Sequence, residues 1–302
     1  MLKNIVFTVL QFTILFSFDM LLYPCEKRSY QFSPEISINF EVCGKGKQTI
    51  LLLHGYGASL ESWRDVEPFL SKSFTLYILD LKGFGLSSKP DDAAYSIDNQ
   101  AEIVVSFIKH HELRDFILGG HSYGGGVALV TYFKLQDIKH AARVKALILI
   151  DSAGYLQKFP FFISVLRFPV LNCVILKFVP AYLRARYTLE RIFYDKSTVT
   201  KERVHRYARF FDLPGSHNSF IEVAKQIVPD NLDSIIQRIP NIKIPTLVLW
   251  GHNDPVIPIE HAHRFHQEIV NSKLEVIQQC GHVPHEEKPE QVASSIIQFF
   301  KD

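Results

Sequence analysis

Six short runs of the chain are almost wholly apolar and alternate with helical patterns: "TILLL" (49–53), "TLYIL" (75–79), "FIL" (116–118), "ALILI" (146–150), "TLVLW" (246–250) and "LEVI" (274–277). A strand with one face in water alternates apolar and polar residues, whereas a strand covered on both faces does not. The runs therefore predict an α/β fold, a mostly parallel central sheet flanked by helices, because parallel strands need long crossover connections. The expected helices span 60–70, 97–111, 123–135, 259–269 and 289–300, the last with Pro289 in its favoured first turn. "SINFEV" (37–42) does alternate, and with its neighbours predicts an antiparallel hairpin ahead of the parallel strands. With 302 residues, 47 % of them hydrophobic, the chain has ample material for a core and is not a disordered one.

The alternation stops between Tyr155 and about Pro240. This stretch offers no convincing strand, and 159–180 is dense in apolar residues broken by Pro160, Pro169 and Pro180. It reads as a helical cap (about 155–240) inserted after the sixth strand. Between Tyr155 and Gly215, eleven Lys and Arg stand against four acids, a net +7 in a chain of net +2. Two readings stay open: an ordinary solvated basic face, or a cap with an apolar inner pocket and a basic outer face suited to anionic membranes. Arg167 and the prolines speak against a membrane-crossing helix here. The near-neutral total, with no run of five like charges, implies no nucleic-acid partner.

The N-terminus, "MLKNIVFTVLQFTILFSFDMLLYPC", places Lys3 before an uncharged apolar run that ends at Asp19. This is the layout of an export signal, favoured over a membrane anchor because Asp19 cuts the run below the roughly 20 residues that span a bilayer. Residues 1–25 are thus expected to be a signal peptide or anchor and 26–302 the folded domain. The protein is expected to be exported or anchored, or cytoplasmic if this segment is buried as a helix. Tyr23 and Pro24 speak against a lipoprotein box at Cys25. The four cysteines lie far apart with no CxxC pair, suggesting neither zinc nor a dense disulfide framework.

The chemistry centres on "FILGGHSYGGG" (116–126). Ligands of parallel sheets gather at the strands' carboxyl ends, and Ser122 stands at such an end with a helix beginning behind it. In Gly120-x-Ser122-x-Gly124, side chains at the two glycine positions would collide in a sharp strand-to-helix turn, so the glycines serve the serine. A serine hydroxyl needs a base, and that base a group to fix its tautomer. "GHNDPVIP" after one strand offers Asp254 and "GHVPHEEKPE" after the last offers His282. Their order, Ser, Asp, His, is the one this layout requires.

"HGYG" (54–57), "DLKGFGLSS" (80–88), "GHSYGG" (120–125), "WGHNDPVIP" (250–258) and "GHVPHEEKPE" (281–290) together resemble the α/β-hydrolase superfamily, of serine esterase and lipase type, over nearly everything after the N-terminal segment. The resemblance implies Ser122 as nucleophile, His282 as base and then acid, and Asp254 as orienting carboxylate. It also implies an oxyanion hole from the backbone N–H groups of Tyr56 and Tyr123, where one lost donor costs roughly 10²–10³ in rate.

Other polar residues carry plainer readings. His54 is expected to fix a loop and Asp80 to bind backbone N–H groups in the "KGFGLSS" turn. His121 and His252 flank the key residues without direct roles, and His285 competes weakly with His282. Trp63 and Phe84 fit the pocket or the core equally well, and Cys280 reads as a small packed side chain. The histidines of "EHAHRFH" (260–266) point to different helix faces, so no metal site is expected, and without a P-loop or dinucleotide fingerprint no cofactor either.

A serine at the elbow, where haloalkane dehalogenases and epoxide hydrolases of this fold use aspartate, points to acyl transfer through a serine ester. Carboxylic esters with hydrophobic acyl or lipid-like groups are the default substrate, matching an apolar cap. A carbon–carbon bond hydrolase or a perhydrolase could use the same triad, and a non-catalytic ligand receptor could use the pocket alone. Membrane association through the N-terminal segment and the basic cap is a further expectation. The acyl chain, the alcohol and the oligomeric state stay open.

Overall fold

Apolar residues at successive positions of the central runs enter two different cores. Leu51 and Leu53 join one, with Leu118, Leu147 and Leu149; Ile50 and Leu52 join the other, with Ile117, Ile148 and Ile150. The computed structural model describes residues 25–138 and 143–301. Its strands are β1 (Glu26–Ser33), β2 (Ile36–Cys43), β3 (Gln48–Leu53), β4 (Phe74–Leu79), β5 (Phe116–His121), β6 (Val144–Ile150), β7 (Thr246–Gly251) and β8 (Ser272–Ile277). They form one sheet in the order β1-β2-β4-β3-β5-β6-β7-β8. The β1–β2 hairpin joins antiparallel at β4, and every other pairing is parallel.

Helices α1 (Ile97–His110), α2 (Tyr123–Asp137) and α8 (Glu260–Glu268) pack on one face, and α9 (Pro289–Phe299) covers the other beside Trp63 and Leu70. Between β6 and β7 lie α3 (Pro169–Phe178), α4 (Ala181–Ile192), α5 (Lys201–Ala208), α6 (Ser216–Lys225) and α7 (Leu232–Arg238), with no strand among the described residues there. These helices are the cap, and they roof the carboxyl edge of the parallel strands.

One expectation needs correction, and one pairing went unread. The helix expected over 60–70 is broken into a 3₁₀ turn at Leu60–Trp63 and a single turn at Glu67–Leu70. Pro68 has no N–H to bond the carbonyl of Arg64, and its ring crowds the preceding turn. The cysteine spacing also hid a pair: Cys25 and Cys43 form a disulfide across the hairpin. The register that sets Glu26 opposite Val42 puts these two cysteines next in line. Apart from Cys25, the expected signal or anchor lies outside the described residues.

Candidate active site

The turn after β5 gives Ser122 φ +52° and ψ −119°, a conformation that a non-glycine residue adopts only when its surroundings enforce it. Its N–H donates to the Ile150 carbonyl at 3.0 Å, and its own carbonyl accepts from Gly125 and Ala153, both at 2.9 Å. The flanking glycines are required by contact. A Cβ at Gly120 would lie 2.3 Å from the Gly124 carbonyl oxygen, and one at Gly124 would lie 2.4 Å from the carbonyl oxygens of His54 and Leu53.

The turns after β5, β7 and β8 bring three side chains into line. His282 Nε2 lies 2.9 Å from Ser122 Oγ, and His282 Nδ1 lies 2.7 Å from Asp254 Oδ2. The other Asp254 oxygen accepts the N–H groups of Val256 at 2.7 Å and Ile257 at 3.1 Å. With that oxygen engaged and the side chain wholly buried, the carboxylate can hold only the tautomer that carries a proton on Nδ1. Nε2 is then free to accept from the serine hydroxyl. The N–H groups of Tyr56 and Tyr123 have no backbone acceptor among the described residues. Tyr123 opens α2, where N–H groups are unpaired and the helix dipole is positive.

Three further histidines near the site are buried among structural contacts. Leu81 N–H donates to His54 Nε2 at 3.0 Å, so His54 Nδ1 donates to the Gly55 carbonyl at 2.8 Å, and burial draws its pKa down to about 4. His121 Nε2 lies 2.7 Å from the His282 carbonyl oxygen and steadies that loop. Burial, with His285 and His282 nearby, keeps His121 neutral. His285 sits between the rings of His121 and Trp63 at 4.6 and 4.5 Å, with neither nitrogen bonded, its pKa drawn down by burial to about 3. Asp80 accepts from Leu60 N at 2.7 Å, Leu86 N at 2.8 Å and Asn39 Nδ2 at 2.7 Å, and burial lifts its pKa to about 6. Trp63 and Phe84 are both core residues. Cys280 is buried, as a packed side chain should be, and Cys173 is exposed.

Three features escape a reading of residue types. Asp151, just past β6, is fully buried, accepts the Gly251 N–H at 3.0 Å and stands against Asp254. Burial, and after it the Asp254 charge, raise its pKa well above the ordinary carboxylate value. Its place in "ILIDSAG", at a strand end on the same edge, is a signal that could have found it. Second, the His282 N–H donates to the Ile192 carbonyl, the last of α4, at 2.8 Å. Third, Arg203 of α5 bonds Asp65 at 2.9 Å and Glu286 at 3.4 Å. Backbone and long-range ionic contacts of this kind leave no sequence motif.

The atoms of Asp151, Asp254 and His282 lie within 4.8 Å of one another, as do those of Cys25, Glu41 and Cys43. In the first set His282 and Asp254 are tied up in hydrogen bonds to each other, Ser122 and backbone, and Asp151 holds the Gly251 N–H through one oxygen; in the second both sulfurs are in the disulfide and Glu41 bonds Arg64 at 2.7 Å.

Two cavities meet at Ser122. The larger, about 660 Å³, runs under the cap and is lined by Tyr56, His282, Leu166, Leu176, Leu189 and Phe220 among others. The smaller, about 60 Å³, is lined by Tyr123, Leu129, Tyr155, Ile163 and Ile235, with no charged side chain in its wall.

A family model described as the α/β-hydrolase fold matches residues 48–289. The chain belongs to this family. This α/β hydrolase is 28 % identical over 257 residues to the uncharacterised hydrolase YugF of Bacillus subtilis (strain 168), covering 85 % of this chain and 91 % of that protein. It is 29 % identical over 261 residues to 2-hydroxymuconate semialdehyde hydrolase of Pseudomonas sp. (strain CF600), covering 84 % and 87 %. Among solved structures, the thermophilic esterase of Thermogutta terrifontis superposes with a TM-score of 0.73 at 25 % identity, covering 92 % of this chain and 98 % of that one.

Proposed function

We propose that this α/β hydrolase cleaves carboxylic esters with hydrophobic acyl groups through a Ser122 acyl-enzyme. The observation that carries the reading is the hydrogen-bonded line Ser122–His282–Asp254 opening into two apolar cavities. Ser122 Oγ attacks the ester carbonyl while His282 Nε2 takes the hydroxyl proton. The tetrahedral oxyanion turns toward the N–H groups of Tyr56 and Tyr123. Collapse expels the alcohol, which receives the proton from His282. Water then attacks the acyl-enzyme with His282 again as base, releasing the acid and restoring Ser122. The large cavity is within the range of ordinary ligand sites and suits a long acyl chain, leaving the small one for the alcohol.

A carbon–carbon bond hydrolase is the second reading, supported by the similarity to 2-hydroxymuconate semialdehyde hydrolase. A muconate-type substrate carries a carboxylate. The two arginines among the large cavity's lining residues, Arg184 and Arg186, have their guanidiniums paired with Asp212 and, at 2.7 Å, with Glu190, which favours an uncharged ester. Hydrolysis of p-nitrophenyl esters of rising acyl length, with Ser122→Ala as control, tests the proposal. We expect turnover that the substitution abolishes, and Leu189→Trp to move the optimum to shorter chains. Absence of turnover and of labelling by a fluorophosphonate, alongside cleavage of a vinylogous diketone, would establish the second reading instead.

We also read the segment before Cys25 as an export signal or anchor, with any cleavage falling ahead of Cys25, which stays with the folded domain. The Cys25–Cys43 disulfide supports it, since such bonds persist in oxidising compartments. Denatured, unreduced protein from its native host should then show two free thiols, and four after reduction; four thiols without reduction would reject export.

A further inference from the structure

Helix α3, "PVLNCVILKF", is apolar almost all round, a composition expected of a buried helix. Yet only Asn172 and Leu176 of its ten residues are buried. Those two and Ile175 face the interior, while Val170, Val174 and Phe178, spaced four apart on one face, are 75 %, 49 % and 70 % exposed. Soluble proteins rarely leave so continuous an apolar patch in water unless something covers it.

The charges beside this patch say what kind of surface that is. Five of the eleven basic residues counted in the cap are spent on ion pairs: Arg184 and Arg186 within the cap, and Arg203, Arg206 and Arg209 with acids at 61 and 65. Arg167 and Lys177, which bracket the exposed helix, and Lys158 ahead of it form no salt bridge among the described residues. An apolar stripe whose flanking cations have no carboxylate partner among the described residues, Lys177 resting over the Phe178 ring, matches the interface of an anionic bilayer, where the stripe enters the acyl boundary and the cations meet phosphates. No single described helix is long and apolar enough to cross a membrane, and the bend of 114° between 161–167 and α3 suits a segment lying on one.

The large cavity reaches this same region: Ile175 and Leu176 of α3 line it, as do the exposed Phe161, Leu183 and Tyr187. We propose that α3 and the turn before it dock on an anionic lipid bilayer, and that acyl substrates pass from the bilayer directly into the cavity above Ser122. The second half of this inference rests on the ester reading; the docking itself does not.

Cys173, exposed between Val170 and Val174, provides the test, because Cys280 is buried and the other two cysteines are bonded. The full chain, labelled at Cys173 with an environment-sensitive fluorophore, is mixed with phosphatidylglycerol or phosphatidylcholine vesicles. We expect a blue shift with phosphatidylglycerol and little with phosphatidylcholine. The triple variant Val170→Asp, Val174→Asp, Phe178→Asp should lower partitioning onto phosphatidylglycerol by about tenfold or more. It should also slow hydrolysis of a vesicle-borne long-chain ester, with turnover of a soluble short-chain ester unchanged within about twofold. Binding through residues 1–24 alone would leave the label in water and the variant without effect, and would overturn the proposal. Equal response to both lipids, or a vesicle-independent shift that grows with protein concentration, would overturn it too, the latter assigning the face to a second copy. Should the variant misfold and lose soluble turnover, the label on the unsubstituted chain still decides. Failure of the ester reading would appear separately, as vesicle binding without turnover of any ester.

Discussion

The carboxyl edge of the sheet and the outer face of the cap are built on opposite principles. At the sheet edge one carboxylate is over-determined: Asp254 meets His282 and two backbone N–H groups and stands against the Asp151 carboxyl, all out of water. On the cap, apolar groups are under-covered, with α3 turning Val170, Val174 and Phe178 to solvent. The first arrangement confines protons to stated atoms. The second supplies apolar surface that this chain itself leaves uncovered. Chemistry is therefore read from buried polarity, and the source of the substrate from exposed apolarity.

Substitutions test that contrast. Ser122→Ala should lower kcat on soluble esters by about 10⁴-fold or more and leave vesicle binding intact, measured on one preparation; a joint loss would mean that the two regions are not separable. Asp254→Asn should cost roughly 10³–10⁴ in kcat by releasing the wrong His282 tautomer. Its neighbour behaves more mildly. Asp151→Leu removes the acceptor of the Gly251 N–H and should cost about 10–100-fold, the rate equivalent of about 1–3 kcal/mol, while Asp151→Asn recovers most of it.

Gly124→Ala, which drives a Cβ against two fixed carbonyl oxygens, should cost about 3 kcal/mol and lower the Tm by about 6–10 °C in calorimetry. Glu286 gives the pH-dependent case. Burial, only partly offset by Arg203 and Tyr207, lifts its pKa from 4.5 to about 7. Between those values the unfolded chain has released the proton and the folded chain has kept it, so this residue's share of stability falls as pH rises from about 4.5 to about 7. Glu286→Gln should flatten that decline in denaturant titrations at pH 5 and 7.5. The smallest effect belongs to the cap: Val170→Asp, at a solvated position, should shift stability by no more than about 0.5 kcal/mol.

The strands, the elbow and the Ser122–Asp254–His282 order were readable because parallel strands and nucleophile turns demand particular residues at particular spacings. Gly120 and Gly124 could be predicted because no other side chain fits. The break at Pro68 shows a local rule, loss of one N–H, overriding a helical apolar pattern. The Cys25–Cys43 pair depended on register, which becomes visible only when the turn at 34–35 is centred. In the cap, composition gave the right apolar character but not its direction. A helix apolar on all sides has no moment from which to predict which side meets water, and charge counts do not reveal which cations are already paired.

One bond has a wider consequence. Because the His282 N–H hangs from the last carbonyl of α4, roof and reaction centre are mechanically one part. Grafting another cap onto this chain to change its substrate would also unhook the base, so α4 and the 281–287 loop must travel together as a single exchange unit.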